Sequence, residues 1–120
     1  MAFSDPQTVT INAVAQVLPR TSNGVNTGSF TKDDGNVKLN VSHTYNKRTR
    51  RQARIDFSKI AADPLISAQN IKYSMSAYLV VDVPITGFTV AEAKQVIDGF
   101  AAWLTASSGA NITKLLGGEN

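Results

Sequence analysis

Between Asn36 and Lys59 the chain reads NVKLNVSHTY, NKRTRR, QARIDFSK. This stretch holds seven of the twelve Lys and Arg residues: Lys38, Lys47, Arg48, Arg50, Arg51, Arg54 and Lys59. One acid, Asp56, accompanies them, so the segment carries +6 and the rest of the chain −3, which sums to the overall +3. Guanidinium and ammonium groups gathered in this way neutralise phosphates, and nucleic acid is the first polyanion that such a patch suits. Val37, Leu39 and Val41 alternate with Lys38, Asn40 and Ser42. After a basic turn, Ala53, Ile55 and Phe57 alternate with Gln52, Arg54, Asp56 and Ser58. A period of two marks half-buried strands, so one face of this hairpin is apolar and the other polar. Lys38, Asn40, Ser42, Thr44 and Arg54 carry the turn's charge and hydrogen-bonding capacity onto the polar face. Lys72, Ser74, Ser76 and Tyr78 of a later strand can extend it. Tyr78 offers a ring for stacking on an unpaired base, the way sheets hold single-stranded RNA. A tyrosine at a sheet edge and a solvated basic turn are the bland alternatives.

Enzyme chemistry has little to work with. The sole histidine, His43, falls by parity on the apolar face of its strand, where a structural role is the better reading. The absence of cysteine excludes disulfides and thiolate metal sites. Asp33-Asp34-Gly35 has the composition of a tight turn rather than a metal loop. Glu92 belongs to a helix capping box, and no glycine-rich phosphate loop occurs. No catalytic residue, metal site, cofactor or small-molecule substrate is expected.

The positioning elements follow from periodicity. At 120 residues the chain is expected to be one domain. Its charged fraction of 18% lies below the usual figure of about 25%, which points to surface covered by partners. No apolar run approaches the roughly 18 residues of a membrane span. MAFSDPQTVT lacks the features of a signal peptide, so synthesis in a cytoplasm is expected. QTVTIN reads as a first strand and AVAQVL as a second or an extension of the first, ended by Pro19. RTSNGVNTG reads as turn, with Asn23-Gly24 its strongest hairpin signal, and Ser29 to Lys32 as a short strand. Ala61 to Asn70 reads as a loop. Ile71 to Val83 is the longest strand, spanning roughly 40 Å. Its second half, YLVVDV, is apolar on both faces except at Asp82, so it is expected to be central or covered on both sides. From Thr89, a capping residue, an amphipathic helix runs to about Ala106, roughly 27 Å. Ser107-Ser108-Gly109 stops it, and Asn111 to Leu116 is a second short helix. The class is α+β: an N-terminal β-hairpin at about 7–18, an antiparallel sheet of about five strands within 29–83, and two C-terminal helices within 89–116. Ala93, Val96, Ile97, Phe100, Trp103 and Leu104 form the apolar stripe of the longer helix, but these helices do not suffice to cover such a sheet, so the sheet's apolar face is expected to need a second subunit.

This order of elements resembles the coat proteins of the single-stranded RNA bacteriophages, the leviviruses, over nearly the whole length. The match rests on the N-terminal hairpin, on Pro19, Arg20, Asn23, Gly24 and Val25, and on the strand pair VxLxVSxTxNKRTRRQxRIxF. A long strand and two C-terminal helices complete it. The resemblance implies a homodimer whose sheets join edge to edge, each subunit's helices packing on the partner's sheet. It further implies an icosahedral shell around viral RNA, the polar sheet face turned inward and the 61–70 loop, stiffened by Pro64, around the symmetry axes. A virion location follows. Family members also bind one RNA hairpin at the start of the replicase gene and so repress its translation. Carried over by alternation, the RNA-facing positions are Lys38, Asn40 and Ser42, then Arg54 and Asp56, then Ser76 and Tyr78, with Lys47, Arg48, Arg50 and Arg51 supplying general packaging charge. The chain departs from the family pattern at two positions: a lysine is usual near Asp56 and a small hydroxyl residue near Lys38. Lys38 and Asp56 are expected opposite one another as a cross-strand ion pair, altering the hairpin recognised. Two other readings compete: a small dimeric cellular nucleic-acid-binding protein that forms no shell, and a structural module whose basic turn is incidental.

Overall fold

Alternation in sequence becomes two sheets in the computed structural model, which describes residues 3–66 and 68–120. Met1, Ala2 and Ser67, the last within the expected 61–70 loop, lie outside the described residues. The chain divides into two compact units, Met1–Val83 and Pro84–Asn120.

In the first unit, β1 (Gln7–Ile11) and β2 (Val14–Leu18) form the expected hairpin as a two-stranded sheet. Asn12 and Ala13 turn it with φ of 51° and 62°, the two positive values that match a tight loop to the strand twist. Five strands follow as an antiparallel meander, in the order β3 (Arg20–Gly24), β4 (Thr27–Thr31), β5 (Val37–Tyr45), β6 (Arg48–Ala62) and β7 (Asn70–Pro84). The turn into β5 is built as expected from its acids. The Asn36 backbone N–H donates to Asp34 Oδ1 at 2.9 Å, and that bond, with the Lys32 charge, holds the Asp34 carboxyl below its ordinary value.

Three features depart from the sequence reading. The sheet starts at Arg20 rather than at Ser29, because RTSNG pairs with β4 as an edge strand instead of turning. Val25 and Asn26 make the turn, Asn26 at φ 59°. Gly24 stands directly opposite Thr27, where a Cβ would come within 2.7 Å of the threonine hydroxyl. An edge strand needs only one neighbour for its backbone, so its turn-prone composition does not prevent pairing. The second departure is the basic segment. Its turn is confined to Asn46 and Lys47, and Arg48 onward is strand. The third is β7, which lies at the end of the sheet order rather than in its middle.

The core of this unit is small. Leu18, Phe30 and Val37 are fully buried, with Val9, Ile11, Leu39, Ile55 and Phe57 partly buried around them. Leu18 and Gln16 point inward from β2 while their neighbours on that strand stay exposed, so the hairpin contributes its inner face to the apolar side of β4 and β5. Each such burial contributes about 1.5–3 kcal/mol relative to exposure. Farther along the same apolar side, Met75 of β7 is 60% exposed.

The second unit is helical over α1 (Val90–Leu116), with non-helical backbone at residues 106–109. Ser107, Ser108 and Gly109 take φ of 54°, 57° and 84° there, so helix runs on either side of the predicted stop. Asn111 Nδ2 donates to the Trp103 carbonyl at 2.7 Å across the break, satisfying an acceptor that the interruption frees. At the start, the Glu92 backbone N–H donates to Thr89 Oγ1 at 3.2 Å, one half of the capping box. Thr89→Ala is expected to cost about 1 kcal/mol of helix stability, measurable as a lowered melting midpoint of the full chain by circular dichroism. No residue of α1 is buried: Val96 is 65% and Trp103 55% exposed, while Ile97 and Leu104 are intermediate. The Phe100 and Trp103 rings stack with centroids 6.2 Å apart. No helix of the described residues is long and apolar enough to cross a membrane.

Candidate nucleic-acid interface

The β5–β6 register assembles the site. Lys38 stands opposite Asp56, Asn40 opposite Arg54, Ser42 opposite Gln52 and Thr44 opposite Arg50. Facing residues of a ladder share one side of the sheet, so these eight side chains form a continuous polar surface. The polar and apolar assignments made by alternation therefore hold for both strands.

Hydrogen bonds fix the middle of this surface. Arg54 Nε donates to Asp56 Oδ1 at 3.0 Å, and Asn40 Nδ2 donates to Asp56 Oδ2 at 3.4 Å. Asn40 Oδ1 accepts from Ser29 Oγ at 2.8 Å. The Arg54 guanidinium also lies 5.8 Å from the Tyr78 ring centroid, which ties β7 to the same surface. Beside it, Lys38, Arg54, Asp56, Lys72, Ser74 and Ser76 line much of an open depression of about 410 Å³.

The expected ion pair between Lys38 and Asp56 does not form, although the register places them opposite. Among the described residues the Asp56 carboxylate pairs with Arg54 instead. Arg54 and Asp56 are two positions apart on one face of β6, and the long guanidinium reaches the carboxylate along the strand while finding a second anchor on Tyr78. Lys38 lines the depression without a carboxylate partner within 4.0 Å among the described residues.

The shortened turn also divides the basic run. Arg48 and Arg50 fall on the polar face with Arg54, and both reach Asp82 of β7. The distances are 3.1 Å from Arg48 Nε to Oδ1 and 3.7 Å from Arg50 Nη2 to Oδ2. Arg51 stands opposite His43, on the other face. Its Nη1 lies 3.1 Å from His43 Nδ1 and 3.2 Å from the Tyr45 hydroxyl, with the guanidinium 5.5 Å from the Tyr45 ring centroid. Lys47 sits in the turn itself. Of the expected residues, Lys38, Asn40, Ser42, Arg48, Arg50, Arg54 and Asp56 share one face of β5 and β6. Ser76 and Tyr78 join it from β7, and Arg51 does not.

Asp82 is the participant that the sequence reading leaves unassigned. Its signal is present: it is the one charged residue in YLVVDV, at the same parity in its strand as Tyr78. On the polar face of β5–β7, five cations (Lys38, Arg48, Arg50, Arg54, Lys72) meet two carboxylates (Asp56, Asp82). Exposed guanidinium groups, amides, hydroxyls and an aromatic ring on one sheet surface can together hold phosphates and stack or hydrogen-bond unpaired bases.

No protein-family profile matches the chain, and no curated protein matches it in sequence. Solved structures do match. The virus-like particle of bacteriophage AVE019 aligns with TM-score 0.76 at 8% identity, covering 87% of this chain and 88% of that one. The coat protein of bacteriophage EMS014 aligns with TM-score 0.69 at 16% identity, covering 91% and 80%. The virus-like particle of Beihai levi-like virus 21 aligns with TM-score 0.73 at 9% identity, covering 96% and 94%. The chain has the fold of the levivirus-like coat proteins, as the order of its elements predicts.

Proposed function

We propose that this chain is the coat protein of a single-stranded RNA bacteriophage: it dimerises, assembles into an icosahedral shell and packages RNA against the polar face of its sheet. The role is structural, without catalysis. The observation that carries this reading is the division of one coat-protein-like sheet into two chemically distinct sides. One side gathers Lys38, Arg48, Arg50 and Arg54 with Tyr78. The other leaves apolar side chains such as Met75 exposed toward the β7 edge. In the dimer, β7 edges join two sheets, and the stripe of Val96, Ile97, Phe100, Trp103 and Leu104 packs on the partner's sheet. That arrangement pairs the backbone groups of the long edge strand and covers both apolar surfaces. The same polar face is where an RNA hairpin would bind for translational repression, through Lys38, Asn40, Ser42, Arg54, Asp56, Ser76 and Tyr78. The protein's place is then the virion, assembled in the cytoplasm of the bacterial host.

Expression of the chain alone in bacteria tests this directly. Uniform particles in the lysate by electron microscopy, eluting early in size exclusion with 260 nm absorbance exceeding that at 280 nm, are the expected result. A small dimer carrying nucleic acid would favour a cellular binding protein that forms no shell. A small species free of nucleic acid would remove both readings.

A further inference from the structure

We propose that Asp82 is a built-in counter-anion that holds Arg48 and Arg50 back from RNA and so sets how strongly the polar face binds phosphate. This rests on the RNA-binding reading above. Both arginines turn to this one carboxylate, at 3.1 and 3.7 Å, through groups that otherwise make bidentate phosphate contacts. Asp82 comes from a different strand, 34 residues beyond Arg48, so the pairing is specified by the fold rather than by chain neighbours. Its side chain keeps 38% exposure, which leaves the carboxylate open to displacement. An incoming phosphate must replace or share it. In YLVVDV it interrupts an otherwise apolar run, on the side of the strand that bears Tyr78. The arrangement separates the arginines from Lys38, whose ammonium has no carboxylate partner within 4.0 Å among the described residues. Binding then begins on lysine and recruits the arginines only where a phosphate can outcompete Asp82.

The test is a titration of the full chain with a fluorescent single-stranded oligouridylate, read by anisotropy across a series of salt concentrations. Asp82→Asn is expected to tighten binding roughly three- to tenfold and to steepen the salt slope by about 0.7 for each additional phosphate neutralised. Asp82→Ser, which removes the carboxylate without adding an amide, is expected to do the same. Asp98→Asn makes the equal change in net charge at the Lys94–Asp98 pair of the helix and is expected to change neither quantity. Arg48→Gln with Arg50→Gln in the Asp82→Asn background is expected to erase the tightening. If the wild-type chain binds and both Asp82 variants bind no more tightly, Asp82 is not a competitor and the proposal falls while the RNA reading stands. Equal tightening in Asp98→Asn would also overturn it, since net charge alone would then explain the effect. Absence of wild-type binding even at low salt would overturn both readings together.

Discussion

Phe30→Ala is expected to destabilise the protein by about 3–5 kcal/mol, the cost of losing a buried aromatic ring and leaving a cavity. Among the described residues Phe30 is one of three fully buried side chains, packed with Leu18 from the hairpin and Val37 from β5. It stands opposite Leu39 in the β4–β5 ladder, and the Arg20 guanidinium lies 4.8 Å from its ring centroid. With so few side chains at full burial, no neighbour can take over the ring's volume, and truncation detaches the hairpin from the sheet. A loss of this size is a large part of the 5–15 kcal/mol typical of a folded domain. Urea unfolding of the full chain at one fixed protein concentration measures it, since assembly would otherwise shift the midpoint. Val25→Ala, at a turn position 90% exposed, is expected to stay within about 0.5 kcal/mol. Equal effects at the two positions would mean that Leu18, Phe30 and Val37 are not the structural centre.

Neutralising Lys38, Arg48, Arg50 and Arg54 together, each to glutamine, is expected to weaken binding of single-stranded RNA about 100- to 1,000-fold near physiological salt. These four share the polar face through the β5–β6 register and the alternation of β6. The salt slope should also flatten by about 0.7 for each phosphate that is no longer neutralised. Arg51→Gln is the informative control. It removes the same unit of charge one residue from Arg50, but on the opposite face, where Arg51 meets His43 and Tyr45. Its expected effect on affinity is less than about twofold, the remnant of a screened long-range field. Filter binding across salt concentrations separates the two surfaces. If Arg51→Gln weakened RNA binding as much as Lys38→Gln, the polar face would not be the RNA side.

Much of the fold was legible because strands and helices write their own periods. Val37, Leu39 and Val41 announced the inner face of β5. Thr89 and the Ser107-Ser108-Gly109 break announced the helix start and its interruption, since caps and stops depend on residues within one turn of each other. Arg20 to Gly24 misled because composition reports the preferences of an isolated segment, whereas an edge strand is recruited by its neighbour's unpaired backbone. YLVVDV misled differently. Its two apolar faces led to a central or covered strand, but β7 lies at the end of the sheet order and its side chains are exposed or half-buried, since composition does not record a strand's neighbours.

The candidate site divides along the same line. Alternation alone assigned Lys38, Asn40, Ser42, Arg54 and Asp56 to one face, and local charge counting located the basic patch between Asn36 and Lys59. These are properties of residues close in sequence, and a period of two requires no knowledge of partners. Only the tertiary structure decided that the turn holds Asn46 and Lys47 alone. That choice makes Arg48 to Arg51 part of β6 rather than of the turn, and in a strand successive side chains alternate, so Arg50 and Arg51 take opposite faces. The fold likewise decided that Asp56 pairs with Arg54 rather than Lys38, and that Asp82 meets Arg48 and Arg50. The Asp82 pairings depend on which backbones lie side by side, which no local pattern in the chain records, whereas Arg54 and Asp56 meet along a single strand.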